Sequence, residues 1–219
     1  MTTTKNLRTA TVIQARPRKM SKDPVRTMLR RQQVFEAIAE TMAKRHWDAI
    51  TLDEAAGSLS RTKGTIYYYF KSKGEMLYQL QMYAFDILDQ AVNPILKDSA
   101  CPPRERLEHL ISAHVLCICD RWQMWRALRG NVALRQASPG QIREIRRRIR
   151  SYQNAVNEIV REVIQTEGSD YIDPALATRL ILGTVNSLQW YRRGGKLPEE
   201  ELAKRVTKFI LDGLLAKPS

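Results

Sequence analysis

The segment that most constrains the fold is the stretch 51–77, TLDEAAGSLSRTKGTIYYYFKSKGEML. A hydroxyl side chain followed three residues later by a glutamate is a capping box, in which the two residues satisfy backbone amides at a helix start. A lone threonine can cap a helix in a similar way. These signals stand at Thr51 with Glu54, at Thr62, and at Ser72 with Glu75. The stretch therefore predicts two short helices joined by a turn at 60–61, followed by the start of a longer helix.

The second of these helices has one apolar and one polar face. Ile66, Tyr69 and Phe70 follow the i, i+3, i+4 spacing and are expected to face a core. The opposite face is basic, aromatic and polar, as a helix that enters the major groove of DNA requires. That face consists of Lys63, Gly64, Thr65, Tyr67 and Tyr68. The alternative is a surface helix with an incidental cluster of aromatic residues.

The patterns T-x-x-E-A-A, T-K-G-T-I-Y-Y-Y-F and K-S-K-x-E-M-L, at these spacings, resemble the DNA-binding domain of the TetR family of bacterial repressors. The resemblance covers 30–77. It implies a helix-turn-helix domain that binds double-stranded DNA. The residues that it places against DNA are Thr51, Lys63, Gly64, Thr65, Tyr67, Tyr68 and Lys73.

The chain departs from this family pattern around the turn. Ser60 stands where the family usually has a glycine, and Ala55 and Arg61 replace larger aliphatic residues. We expect Arg61 to add a phosphate contact, and we include the helix cap Thr62 among the DNA-binding residues.

The charge of the chain favours an anionic partner. The 36 lysines and arginines outnumber the 23 aspartates and glutamates, for a net charge of +13. Of this excess, +8 lies within 1–31, which holds nine basic residues and one acid. Apolar periodicity is weak there, so we expect a basic flexible arm over 1–28. The arm either follows DNA phosphates or the minor groove, or remains a solvated tail.

The rest of the chain is expected to be all-α. We expect an N-terminal three-helix helix-turn-helix DNA-binding domain over 29–73 and a C-terminal helical effector-binding and dimerisation domain over 74–219. Apolar periodicity, N-caps and prolines predict about nine helices and no strand. The expected helices cover 28–45, 51–59, 62–70, 72–96, 103–119, 122–132, 139–166, 174–193 and 198–215.

Several classes of function find no support in the sequence. It has three histidines and three cysteines, without a phosphate-binding loop, a nucleophile elbow or a metal-binding cluster. We therefore expect neither an enzyme nor a metal or other cofactor. An odd number of cysteines is typical of a reducing cytoplasm. No apolar run reaches the roughly 18 residues of a membrane span, so we expect a cytoplasmic protein without a membrane partner.

The last two helices are expected to form a homodimer interface. A helix-turn-helix protein reads a palindrome through two recognition helices about 34–36 Å apart, which requires two copies. The resemblance to the TetR family implies pairing through the same two helices. The expected interface residues are Gly183, Ser187, Val206, Phe209, Ile210 and Leu214. The alternative is that they pack inside one subunit.

A helical domain of this size is larger than DNA binding needs and can house an apolar pocket for a small-molecule effector. The residues expected to line the pocket are Tyr83, His114, Trp122, Trp125, Asn186 and Trp190. For the aromatic residues and His114, the alternative is an ordinary core position. Asn186 lies in an apolar segment and must be exposed or hydrogen-bonded.

The stretch 182–198, LGTVNSLQWYRRGGKLP, resembles a branch of TetR-family regulators that often respond to acyl-CoA thioesters. The resemblance implies an acyl-CoA effector, and the arginines of 143–150 are available for its phosphates. We therefore expect a ligand-responsive repressor released by a small apolar effector. The alternatives are a TetR-like regulator that responds to another hydrophobic compound, and a non-specific nucleic-acid binder without an effector.

Overall fold

The computed structural model describes residues 24–44, 54, 70–128, 132–167, 171–191 and 197–216. Within these residues the chain forms eight helices and no strand. The helices are α1 (Pro24–Lys44), α2 (Lys73–Lys97), α3 (Pro103–Asp120), α4 (Trp122–Ala127), α5 (Val132–Gln136), α6 (Pro139–Glu167), α7 (Pro174–Tyr191) and α8 (Glu199–Leu214). The all-α prediction is confirmed for this part of the chain. The expected short helices 51–59 and 62–70 fall almost wholly outside it.

Side-chain caps fix the starts of three helices. The backbone amide of Glu75 donates to Ser72 Oγ at 3.1 Å before α2. Ser138 and Gln141 form a reciprocal capping box at the start of α6, with donor–acceptor distances of 2.9 and 3.4 Å. Asp173 caps α7 through its carboxylate. Each of these starts follows from the hydroxyl or carboxylate residues that the sequence places there.

Three helix boundaries differ from the expectation. α1 starts at Pro24, inside the expected flexible arm 1–28, because proline is favoured at the first helical position. α2 continues past Pro94 to Lys97, one residue beyond the expected end, since Pro94 is exposed and one turn from the helix end, where water can replace the lost hydrogen bond. The expected helix 122–132 corresponds to α4, which ends at Ala127; α5 (Val132–Gln136) was not expected, and 129–131 lie outside the described residues.

Two hydrophobic clusters form the core, and α2 and α6 contribute to both. The first packs α1 against the N-terminal half of α2, α4, α5 and the start of α6, with Phe35, Phe70 and Leu77 fully buried. The second packs the C-terminal half of α2 against α3, α6, α7 and α8 around residues such as Leu110 and Val160. With 25 residues, α2 is about 38 Å long and spans both clusters.

α1 is fixed to the remaining helices by aromatic contacts and an ion pair. The rings of Phe35 and Tyr83 stack with 4.9 Å between centroids, and the ring of Phe70 lies 5.9 Å from Phe35. Arg121, between α3 and α4, pairs with Glu36 of α1. α1 therefore follows any movement of α2 or of the α3–α4 turn.

The first turn of α2 is held by the connection between α5 and α6. A Cβ atom added to Gly74 would lie 2.3 Å from the carbonyl oxygen of Gln136, so this approach requires glycine. The neighbouring Glu75 accepts a hydrogen bond from Nε2 of Gln141 at 2.8 Å. The start of α2 is thus positioned by backbone contact as well as by a side-chain hydrogen bond.

Replacing Gly74 by alanine is expected to lower the free energy of unfolding by about 1–3 kcal/mol, because the new methyl group forces α5 away from α2. Gly140→Ala is the matched control, since its Cβ meets only the flexible end of Arg143, at 3.8 Å. Helix propensity there favours alanine. Urea denaturation measures both variants, and a Gly74→Ala protein as stable as the parent would contradict the close approach.

Candidate functional site

Most of the predicted DNA-binding residues lie outside the described part of the chain. They are Thr51, Arg61, Thr62, Lys63, Gly64, Thr65, Tyr67 and Tyr68. The structure does describe the residues that follow this segment in the chain. Phe70 is buried against α1, as its spacing predicts, and Lys73 is the first residue of α2. The segment predicted to contact DNA therefore leads directly into the helix that spans both hydrophobic clusters.

A cavity of about 120 Å³ lies between α2, α3, α4, α6 and α7. Its lining residues are Phe85, Leu88, Asp89, His114, Trp125, Arg148, Ile149, Tyr152, Gln153, Leu182 and Asn186. Three of the six expected pocket residues are among them: His114, Trp125 and Asn186. The cavity combines apolar walls with a few polar side chains, as small-molecule sites usually do.

Two expected pocket residues lie elsewhere, and a third lies outside the described side chains. Tyr83 stacks on Phe35 in the other cluster, because it lies about 200° around α2 from the cavity residue Phe85. Trp122 is not part of the cavity wall, and Arg126 lies 5.8 Å from its ring centroid. The side chain of Trp190 is not described.

The sequence interpretation missed Tyr152 as a cavity residue. The signal was available, because Ile145, Ile149, Tyr152 and Val156 follow the i, i+4, i+7, i+11 spacing of one buried helix face. A tyrosine on such a face carries a hydroxyl that needs a partner inside the protein. The arginines of the same segment indicate an exposed face and conceal this buried one.

His114 and Tyr152 form a neutral hydrogen-bonded pair in the cavity wall. The Tyr152 hydroxyl lies 3.1 Å from His114 Nδ1, and the histidine is only 3% exposed. Burial lowers the pKa of His114 to about 4 and raises the pKa of Tyr152. Neither side chain is charged at neutral pH. His114 Nε2 has no hydrogen-bond partner among the described residues.

Arg148 connects α6 to α2 beside the cavity. Its guanidinium donates to Asp86 at 3.0 Å and to Asp89 at 2.7 Å, and lies 5.4 Å from the ring centroid of Phe85. The two carboxylates are on adjacent turns of α2. This group is an ionic contact that holds α6 to α2 at the cavity wall.

Other arginines of α6 line its outer face. Arg143, Arg146 and Arg150 are exposed and make no ion pair within the described residues, whereas Arg147 pairs with Glu144 at 2.7 Å. The Arg147 guanidinium lowers the pKa of the Glu144 carboxyl. The unpaired arginines are the ones available to an anionic group outside the cavity.

The outer face of α7 and α8 is apolar and exposed. Leu176 and Leu180 are 50% and 55% exposed, and Phe209 is 71% exposed. Leu180 and Phe209 border an open groove of about 570 Å³ between the two helices. Gly183 and Ser187 continue the same face of α7 at helical spacing, and both are exposed. The sequence interpretation missed the two leucines, which share that spacing.

The expected apolar stripe on α8 is divided between two surfaces. Ile210 and Leu214 are 7% and 4% exposed and belong to the core of the subunit, although they also border the groove. Val206 is partly buried against the same core. Phe209 lies about 120° around the helix from the centre of the buried face, which turns it outward. Ile210 and Leu214 therefore pack mainly inside one subunit, the alternative that the sequence leaves open, and the homodimer interface stays a prediction.

Within the described residues no group of histidine, cysteine, aspartate and glutamate side chains could hold a metal ion. The described helices also include none that is long and apolar enough to cross a membrane. Cys117 is buried, which raises the pKa of its thiol to about 11. It therefore carries no nucleophilic thiolate at neutral pH.

Two family models match the chain. The model described as "Bacterial regulatory proteins, tetR family" matches 34–80. The model described as "Tetracyclin repressor-like, C-terminal domain" matches 100–214, more than half of the chain. The first match includes the predicted recognition helix, and the second includes α3 to α8.

Similar proteins include transcriptional regulators. The "Fatty acid metabolism regulator protein" of Bacillus subtilis is 24% identical over 83% of this chain and 94% of its own length. The "HTH-type transcriptional repressor KstR2" of Mycobacterium tuberculosis is 27% identical over 84% of this chain and 92% of its own length.

Solved structures show the same fold. AibR in complex with isovaleryl coenzyme A and operator DNA has a TM-score of 0.71 at 21% identity, over 82% of this chain and 97% of that chain. FadR from Bacillus subtilis in complex with stearoyl-CoA has a TM-score of 0.63 at 22% identity, over 84% of this chain and 98% of that chain. At these identities the likeness concerns the fold.

Acidification is expected to destabilise the protein through His114. The unfolded chain binds a proton at this residue near pH 6.5, but the folded protein does so only near pH 4. The contribution of the neutral His114 to the free energy of unfolding is fully present above pH 6.5. It falls by on the order of 3 kcal/mol as the pH is lowered to 4.

Urea denaturation of the parent and His114→Leu at pH 7, 5.5 and 4 measures this contribution, because carboxylate titrations are common to both proteins. We expect the stability difference between them to shift in favour of the variant at low pH. A difference independent of pH would contradict the burial of a neutral histidine.

Proposed function

Because the chain belongs to the TetR family of bacterial transcriptional regulators, we propose that it is a ligand-responsive repressor. It binds a palindromic operator as a homodimer and is released by an acyl-CoA thioester. The observation that carries this proposal is the course of α2. This helix starts directly after the segment predicted to read DNA, and the residues at its middle line the cavity.

DNA binding is assigned to the domain 29–73, and effector binding and dimerisation to 74–219. Lys63, Gly64, Thr65, Tyr67 and Tyr68 read the major groove or grip phosphates, and the remaining predicted contacts flank them. The net charge of +13 supports a phosphate-rich partner. The basic segment before α1 extends this contact along the DNA backbone.

The homodimer forms through the exposed face of α7 and α8. Leu176, Leu180 and Phe209 are large apolar side chains that a second copy would remove from water. Gly183 has no atom within 4 Å of an added Cβ, so a partner helix can come close there. A pair of subunits supplies the two recognition helices that a palindrome requires.

An acyl-CoA thioester fits a site that has a partly apolar cavity next to a basic protein surface. The acyl group enters the cavity and the CoA phosphates remain outside. Three residues of α6 lie on one helix face at the spacing i, i−3 and i−7: Gln153 of the cavity wall, Arg150 and Arg146. The two unpaired guanidinium groups are therefore on the same face as the cavity residue. AibR and FadR, which share the fold, were solved with isovaleryl coenzyme A and stearoyl-CoA.

Release from DNA follows from a difference in effector affinity between two conformations. Effector in the cavity contacts α2 at Phe85, Leu88 and Asp89. A shift of α2 moves the attached DNA-binding segment and α1, which stacks on Tyr83. The two recognition helices then no longer match the operator spacing.

Fluorescence anisotropy with DNA from upstream of the protein's own gene tests the proposal. Lys63→Ala and Tyr67→Ala are each expected to weaken specific binding by about tenfold to a hundredfold, because base and phosphate contacts are lost. Lys97→Ala is the control, as it removes an exposed lysine from the opposite end of α2. Retained operator binding in the first two variants would refute the assignment of the recognition helix.

The same assay with acyl-CoA thioesters tests the effector. Release by a thioester, but not by free CoA, supports the proposal. Specific binding that responds only to a hydrophobic compound without CoA would leave a repressor of another effector class. Binding with equal affinity to any DNA, and without response to an effector, would indicate a non-specific nucleic-acid binder.

Phe209→Asp is expected to convert the homodimer to a monomer, since it places a charge at the centre of the apolar face. Light scattering after size exclusion measures the mass. Gln165→Asp, which adds the same charge on the exposed side of α6, is the control and should leave the dimer intact. A Phe209→Asp protein with unchanged mass would place the interface elsewhere.

A further inference from the structure

The polar atom left unpaired in the cavity wall is Nε2 of His114. If the Tyr152 hydroxyl donates to Nδ1, the ring proton lies on Nε2 and one donor is unpaired. If Nδ1 carries the proton, both the Tyr152 hydroxyl proton and the Nε2 lone pair are unpaired. An unpaired buried polar group is costly, so the first arrangement, which leaves fewer groups unpaired, is favoured. The favoured tautomer therefore leaves one neutral N–H donor, on a residue of the cavity wall, without a partner among the described residues.

The charges beside the cavity do not attract an anionic group. Asp89 and Arg148 both line the cavity, and the Arg148 guanidinium is already shared between Asp89 and Asp86, so two carboxylates surround one guanidinium. A free carboxylate would leave water and approach this excess of negative charge. A neutral carbonyl oxygen accepts the hydrogen bond from Nε2–H without either cost.

The volume of the cavity limits the length of the buried group. The cavity measures about 120 Å³. In another protein a cavity of about 150 Å³ holds one benzene ring, or about six heavy atoms. Leu88, Trp125 and Leu182 supply apolar walls. The space suits an acyl group of about four to six heavy atoms and is too small for a long chain or a fused ring system.

We propose that the effector is the thioester of a short linear or branched acyl group of about four to six heavy atoms. Its carbonyl oxygen accepts a hydrogen bond from His114 Nε2–H. Tyr152 is a positioning residue, because it fixes the proton on Nε2 through Nδ1. Leu182 limits the chain length. This inference rests on the proposed function and narrows its effector from acyl thioesters in general to short ones.

The larger groove between α7 and α8 does not supply an alternative acyl site. It is bordered by the exposed side chains of Phe209 and Leu180, which the proposed dimer covers. Its lining residues do not include any from α2, so a ligand there has no contact with the helix that leads to DNA. A ligand that controls DNA binding through α2 is therefore assigned to the smaller cavity.

Titration calorimetry with the full-length protein measures the acyl preference directly. The probes are acetyl-, butyryl-, isovaleryl-, octanoyl- and palmitoyl-CoA, with free CoA and isovalerate as references. We expect the tightest binding for butyryl- or isovaleryl-CoA. Isovalerate should bind about a hundredfold more weakly or worse, because it lacks the CoA phosphates and its carboxylate is desolvated beside Asp89.

Variants separate the hydrogen bond from simple packing. His114→Leu keeps a similar volume but removes the donor, and we expect a loss of about tenfold in affinity for isovaleryl-CoA. Tyr152→Phe removes the hydroxyl that fixes the tautomer and should give a smaller loss. His109→Leu, an exposed histidine on α3 outside the cavity, is the control. NMR of the imidazole nitrogens measures the tautomer of His114 directly. If Tyr152 fixes the tautomer, Tyr152→Phe changes it; if Tyr152 has only a structural role, the tautomer stays the same.

Leu182→Ala enlarges the cavity by three carbon atoms and is expected to move the preferred acyl chain to a length about three carbons greater. Ile181→Ala is the matched control, because Ile181 is buried on the same helix but does not line the cavity. It should leave the preferred length unchanged. Thermal melts of all variants define the temperatures at which each is folded.

The outcomes distinguish this inference from the proposed function. If palmitoyl-CoA binds most tightly and releases DNA, the proposed function stands and the short-chain inference is overturned. Equal affinity of the parent and His114→Leu would overturn the hydrogen bond. If no thioester binds while specific DNA binding persists, the acyl-CoA proposal fails, and with it this inference.

Discussion

The structure depends on one constraint, which is that α2 belongs to both hydrophobic clusters. Its N-terminal half packs on α1, and its C-terminal half forms the wall of the cavity with α3, α6 and α7. Protein interiors are close-packed, so a displacement at one end cannot be absorbed within the helix. In the proposed function, a signal would therefore pass through rigid packing rather than through a flexible linker between the described helices.

The positive charge of the chain serves three physically different purposes. Arg106 is buried and pairs with Glu162, which holds α3 to α6. Arg148 is shared between two carboxylates at the cavity. Arg143 and Arg146 are exposed and make no ion pair within the described residues. A net charge alone does not reveal this division, because ion pairs inside the fold and free surface cations add equally to the sum.

Sequence patterns predicted those features that depend on local chemistry. Caps such as Ser138 and Asp173 and the helical spacing of apolar residues are decided within one or two turns. The membership of Tyr83 and Tyr152 in different clusters was not predictable, because it depends on which helix packs against each turn. The same limit applies to Ile210, which a single helical stripe cannot assign to the core or to the surface.

The contact between Gly74 and Gln136 also limits how the protein can be recombined with its relatives. A chimera that takes its DNA reader from one regulator and its sensor from another is usually joined between such units. Here a junction near residue 73 would separate a glycine from the backbone that it was selected to fit. A working chimera would have to take the first turns of α2, α5 and the start of α6 from the same parent protein.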